Sequence, residues 1–314
     1  MSSTWSHGRG ATSKSRVLAS FVLKWLNMTL LAPVGAVSRV IDLDRYPLHL
    51  TDSTAYRHAL ATVQADLDAY GCAVLKGFVR PDALAELVAE ADRVAPMAHR
   101  SFGRTNPYFT QDREDLPTSH PLRRFYDRSN AFVPADHFGE ESDLRALYQW
   151  APFSAFIREA LRETHFYPYA DPLADVIVNV TEEGNGFPWH FDTNNYTVTL
   201  ALQNGDTGGE FEYVPWLRST TDENYSGVQD VLDEASDAVR TLVLEPGDLQ
   251  LFKGRYALHR VKPVQGETRR YVAIFSFVEK EGMVGSPERT RQLYGRVLPI
   301  HLERAGHRAD ALVD

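Results

Sequence analysis

Asn185-Gly-Phe-Pro-Trp189-His190-Phe191-Asp192-Thr-Asn-Asn195 is the stretch on which the fold and the chemistry turn. In an extended strand, side chains i and i+2 share a face, so His190 and Asp192 point the same way. An imidazole nitrogen and a carboxylate oxygen on one face are two thirds of a mononuclear iron site. A second His would complete it, leaving positions open for substrate and dioxygen. His259, in Leu258-His-Arg-Val-Lys-Pro263, is the candidate. It follows the Gly247-Asp-Leu-Gln-Leu-Phe252 hairpin, and a jelly roll brings such a late strand beside an early one. Further on, Arg269 and Arg270 open the next strand, where a planar guanidinium can grip a carboxylate with two hydrogen bonds.

Outward from this stretch the period is two. Strands are expected at 175–181, 196–203, 210–214, 240–244, 248–252, 257–261 and 270–278, with turns at Glu183-Gly-Asn-Gly186, Asn204-Gly-Asp-Thr-Gly-Gly209 and Glu245-Pro-Gly-Asp248. Many short strands joined by such turns indicate a mainly β fold with flanking helices, built on a double-stranded β-helix (jelly-roll) core. Upstream, Thr54–Ala69 has helical period and ends at Gly71. Cys72–Leu75 reads as a buried strand, Pro81 opens a second helix, and 142–163 reads as one or two more. Residues 96–140 have no clear period, and the arginines of Pro121–Arg128 read as a solvated loop edge. A lid carrying an anion-binding Arg is the sharper alternative. The insertion 220–237 is expected to be partly helical at Val228–Ala235, and a closing helix is expected over Ser286–Val297. The expected organisation is an N-terminal extension (1–44), a helical and loop scaffold (45–174), the jelly-roll core (175–280), and a C-terminal helix and tail (281–314).

Composition sets outer bounds. The chain has 314 residues, 43% hydrophobic and 24% charged, as in ordinary globular proteins. A net charge of -9 argues against nucleic-acid backbone binding. The single cysteine, Cys72, excludes an internal disulfide framework and fits a reducing cytoplasm. Residues 1–16 read as disordered. The apolar stretch Val17–Val37 is interrupted by Lys24 and ended by Pro33, so a membrane role is not expected. Met28 as the start, or a dispensable extension, is the expectation there.

The stretches Trp-His-Phe-Asp-Thr-Asn (189–194), Gly-Gly-Glu-Phe-Glu-Tyr-Val-Pro (208–215), Asp-Glu-Asn-Tyr (222–225) and Gly-Arg-Tyr-Ala-Leu-His-Arg-Val (254–261) resemble the Fe(II)/2-oxoglutarate-dependent dioxygenases. They look like the bacterial subgroup of free-amino-acid hydroxylases and radical halogenases. The resemblance implies His190, Asp192 and His259 as iron ligands and a basic residue after His259 holding the distal carboxylate of 2-oxoglutarate. Arg270 is preferred, on an inward face with Val272, Ile274 and Ser276, and Arg269 is the alternative. Asn179 matches a position near the co-substrate. Radical halogenases carry Ala or Gly where Asp192 stands, so the expected outcome with Fe(II), 2-oxoglutarate and O2 is hydroxylation of a small molecule. Phe187 and Thr193 stand where polar or charged substrate contacts are expected in amino-acid halogenases. Desaturation or cyclisation on the same iron, a non-catalytic jelly-roll binding protein, and a metal-dependent hydrolase or isomerase stay open, as do Tyr196, Trp189 and Arg255 as pocket residues. The oligomeric state is left open, a homodimer being one option.

Overall fold

The structure is a computed structural model that describes residues 34–304 and 312–313. The candidate start at Met28, the segment 1–16 and most of the apolar stretch 17–37 lie outside the described residues. No helix among the described residues is long and apolar enough to cross a membrane.

Two antiparallel sheets form the body of the jelly roll. The larger contains β1 (Cys72–Leu75), β2 (His99–Thr105), β3 (Tyr126–Val133), β4 (Tyr167–Pro168), β5 (Val176–Thr181), β7 (Tyr196–Gln203), β11 (Leu249–Phe252) and β14 (Arg270–Val278). Its order is β1-β11-β7-β14-β5-β3-β2, with β4 added beside β14. The smaller runs β10-β9-β12-β6, from Arg240–Leu242, Phe211–Val214, Leu258–Val261 and Phe187–His190. A two-stranded ribbon joins β8 (Thr207–Gly208) to β13 (Val264–Gln265).

The period-two pattern decides which way each sheet faces. Along β7, Val198 and Leu200 are fully buried beneath helices, while Thr197 and Thr199 face the space between the sheets. Along β14, Tyr271, Ala273, Phe275 and Phe277 join the helix-covered core, and Arg270, Val272, Ile274 and Ser276 face inward. That core is closed by α2 (Thr54–Tyr70), α3 (Pro81–Val94), α4 (Asp143–Gln149) and α5 (Ala151–Leu161), through side chains such as Leu87, Leu147, Phe153 and Phe156.

Local chemistry explains the helix ends. Ser53 caps α2 by accepting from the Tyr56 amide at 3.0 Å. Gly71 ends the helix in the left-handed region at φ 69°, where a Cβ would also lie 2.3 Å from Pro215 Cβ. The expected helical span at 142–163 is two helices, because Trp150 turns extended and Pro152 opens α5. The insertion holds one short helix, α6 (Tyr225–Leu232), and the C-terminal region holds α7 (Pro287–Tyr294) and α8 (Pro299–Glu303). A four-residue helix, α1 (Val34–Val37), begins the described chain.

One expectation is overturned. The segment expected to be an irregular loop edge contains β2 and β3, and β3 pairs with β5 in the larger sheet. Arg128 is only 4% exposed. Alternation was hidden because β3 is covered on both faces and carries Arg, Ser and Asn where apolar residues would mark a strand.

Candidate active site

His190 closes strand β6, and its direct partner across the β6–β12 ladder is His259. The two rings are therefore neighbours by register, with centroids 4.1 Å apart. Asp192 lies just past the end of β6, where its amide donates to Gly254 O at 3.1 Å. Its Oδ1 is 3.7 Å from His190 Nε2 and 3.5 Å from His259 Nε2. All three ligand atoms lie within 4.8 Å of one another.

The donor set fits a divalent iron. Each histidine donates Nδ1–H to a backbone carbonyl two residues back, His190 to Pro188 O and His259 to Ala257 O, both at 2.8 Å. Both Nε2 lone pairs are thereby turned toward Asp192. Metal–ligand bonds of about 2.0–2.2 Å would set adjacent ligand atoms about 3 Å apart, a small closure from the distances here. Burial holds His190 well below its ordinary pKa, and the neighbouring His259 lowers it further, so this ligand is neutral at pH 7. Burial alone would raise the Asp192 carboxyl, but His259, His190 and the Thr197 hydroxyl outweigh it and hold its pKa at about 2. His190 and Asp192 are thus already in the deprotonated forms that metal binding requires.

Asp192 Oδ2 is held away from the histidines. Thr197 donates its hydroxyl to it at 2.5 Å. On the other side, a Cβ on Gly254 would lie 1.9 Å from the same oxygen, so the carboxylate occupies the space a side chain would fill. Partners that orient a metal-binding carboxylate commonly carry 10–100-fold in affinity. Thr197→Val is therefore expected to weaken metal binding by roughly 10–100-fold, and Thr197→Ser to restore it. Titration with Co(II), followed by its visible absorption, measures this. Equal affinity in the Val variant and the wild type would remove Thr197 from the role.

The cluster opens on a cavity of about 880 Å³ between the sheets. Arg270, Asn179, Phe187 and Thr193 all line it. Arg270 is 7% exposed and forms no hydrogen bond or ion pair with any described residue; burial lowers its pKa to about 10. At that value it stays cationic at neutral pH. Its aliphatic stem passes Gly209 so closely that a Cβ there would lie 2.9 Å from Arg270 Cδ. Arg269 points elsewhere: it is half exposed and pairs with Glu182 at 3.3 Å, outside the cavity wall. Asn179 is engaged locally, accepting from the Thr181 hydroxyl and donating to Ala131 O. Trp189, Tyr196 and Arg255 are not part of the cavity wall. Trp189 packs instead in a separate core, beneath the Arg260 guanidinium.

Two features of the site escaped the sequence reading. The first is α7, whose Arg289, Gln292 and Leu293 form one wall of the cavity at helical spacing. It is anchored by Asp171, which accepts from the Gly285 amide at 2.8 Å and sits 3.0 Å from His301 Nε2. The second is Arg128. Its guanidinium lies 4.3 Å from the Phe187 ring centroid and 5.1 Å from that of Phe109, both cavity residues. Burial pushes its pKa well below the ordinary value, as does the neighbouring Arg289. Asn130 Oδ1 accepts from Nε and Nη2, while Nη1 meets no partner among the described residues. The Arg-rich run in the sequence was the available signal.

A model of the halogenase D family matches residues 55–292. No curated protein matches the chain. Solved structures that it resembles include a 2-oxoglutarate–Fe(II) oxygenase family protein from Burkholderia pseudomallei, at 14% identity over 70% of this chain and 91% of that one, TM-score 0.45. AviO1 from Streptomyces viridochromogenes is 16% identical over 71% of this chain and 96% of its own, TM-score 0.49. A prolyl-4-hydroxylase from Pseudomonas putida is 17% identical over 70% and 99%, TM-score 0.45.

Proposed function

The chain belongs to the halogenase D family, and from that membership we propose that it is an iron- and 2-oxoglutarate-dependent enzyme that hydroxylates a C–H bond of a small molecule. The observation that carries this choice of outcome is Asp192. A carboxylate occupies the third protein position beside His190 and His259, where a halogenase of the resembling subgroup leaves room for halide.

Iron with 2-oxoglutarate supplies the oxidising power for a C–H bond, and the protein supplies positions. His190, Asp192 and His259 would hold the metal on one side. Arg270 would hold the distal carboxylate of 2-oxoglutarate, which would give its buried and otherwise unpaired charge a partner. The cavity is of a size for a small ligand beside the co-substrate. Phe187, stacked on the His190 ring at 3.8 Å, screens that ligand from water. Arg128, whose Nη1 has no partner among the described residues, suits a substrate with an anionic group.

The test is a mass-spectrometric screen of small carboxylic acids, free amino acids included, for products that gain one oxygen atom. Product and succinate are expected only when both iron and 2-oxoglutarate are present. A chlorinated product from the wild-type protein in chloride would overturn hydroxylation, and a product short of two hydrogens would replace it with desaturation or ring closure.

A further inference from the structure

The wall that the substrate would meet beside the iron ligands is apolar. Phe187 stacks on His190, and it packs with Phe132, Ile177, Ile274, Met283 and Leu293 in one contiguous hydrophobic cluster. All six line the cavity. Strand register sets this: Ile274 lies opposite Ile177 across β14 and β5, so both side chains emerge on the inner face together.

The carboxylates of the cavity wall are accounted for. Asp192 is a candidate metal ligand. Asp171 is fully buried and committed to His301 and to the Gly285 and Leu173 amides. Glu288 is exposed to solvent in the first turn of α7. Among the described residues, therefore, the one lining carboxylate without a bonding partner is Glu288, which is exposed at the start of α7 and is no part of the apolar cluster. The guanidinium of Arg128, 4.3 Å from the Phe187 ring and with Nη1 unpartnered among the described residues, has the opposite effect on a cation. An ammonium group brought to this wall would lose its water, meet aromatic and aliphatic carbon, and face like charge.

We propose that the group this enzyme presents to the iron is an uncharged hydrocarbon chain, and that Phe187, Ile177 and Ile274 select it against chains ending in a cation. The substrate class is a small carboxylic acid of amino-acid size with an apolar reacting end. This rests on the iron and 2-oxoglutarate reading above and narrows it.

The experiment uses the full chain loaded anaerobically with Fe(II) and 2-oxoglutarate, whose visible charge-transfer band responds when substrate binds near the metal. Four probes form two matched pairs: norleucine against lysine, and hexanoate against 6-aminohexanoate. In at least one pair the apolar member is expected to perturb the band and raise succinate release, its ammonium counterpart needing about a hundredfold higher concentration. Equal or tighter binding of either ammonium probe overturns the proposal, as does silence from both apolar probes. Ile274→Asp is expected to bring lysine within reach of norleucine. Phe187→His provides a second polar wall if that variant does not fold, and the wild-type comparison stands without either. Absence of the charge-transfer band in the wild type would instead overturn the iron and 2-oxoglutarate reading itself.

Discussion

Replacing Asp192 by Ala is expected to abolish iron-dependent hydroxylation, lowering the rate on the order of a thousandfold or more, above about 4 kcal/mol of barrier. Among the described residues Asp192 is the only carboxylate within reach of both imidazoles, 3.5 and 3.7 Å from the Nε2 atoms of His259 and His190. Its loss leaves two neutral nitrogens to hold a dication. It also leaves the Thr197 hydroxyl without its acceptor and opens space beside Gly254. The fold should survive, because the side chain is no part of the hydrophobic cores. Circular dichroism and a Co(II) titration on the same sample separate folding from metal loss. Asp192→Asn keeps the shape and removes the charge, and it should fall with Ala rather than with wild type. Wild-type rates in the Ala variant would sink the ligand assignment.

Replacing Arg270 by Met is expected to raise the 2-oxoglutarate concentration needed for half-maximal turnover by two to three decades, about 3–4 kcal/mol. Met keeps much of the length of the side chain and removes the two hydrogen bonds with which a buried guanidinium can grip a carboxylate. Arg269→Met should change that concentration less than about twofold, since it removes a half-exposed pair with Glu182 and a contact with Tyr271, both outside the cavity wall. The two predictions discriminate between adjacent residues. A further expectation follows from burial: without ligand, Arg270 is a buried charge with no partner among the described residues, so the Met variant should melt no lower than wild type. Thermal unfolding without 2-oxoglutarate checks this. A large loss of stability would mean that Arg270 serves the fold and not the co-substrate. Equal effects of the Arg269 and Arg270 substitutions on co-substrate would refute the distinction between them.

Much of this arrangement was legible because it obeys short periods. The alternation in 270–278 told inward from outward residues, and turn residues marked the hairpins. His190, Asp192 and His259 could be grouped on spacing plus resemblance, although only the β6–β12 register shows why the two histidines meet. What stayed hidden lacked such a period. In β3 the polar residues Arg128, Ser129 and Asn130 sit in a strand covered on both faces, so burial follows hydrogen bonding and ring contacts instead of hydrophobicity. For α7 the helix was readable, but its place over the cavity depends on Asp171, 114 positions before the Gly285 amide that it holds. Tertiary anchors of that kind leave no local trace.

The packing of Asp192 against Gly254 also bears on how this site can change over generations. Positions 192 and 254 form an ordered pair. A side chain at 254 would collide with the carboxylate and damage the site at once, so that step is closed while Asp192 is present. If Asp192 shortens first, the collision disappears and 254 becomes free to vary. The same two substitutions collide in one order and not in the other, so any change at 254 must follow loss of the carboxylate and with it of the hydroxylation described above, and return to the carboxylate requires that Gly254 has been kept.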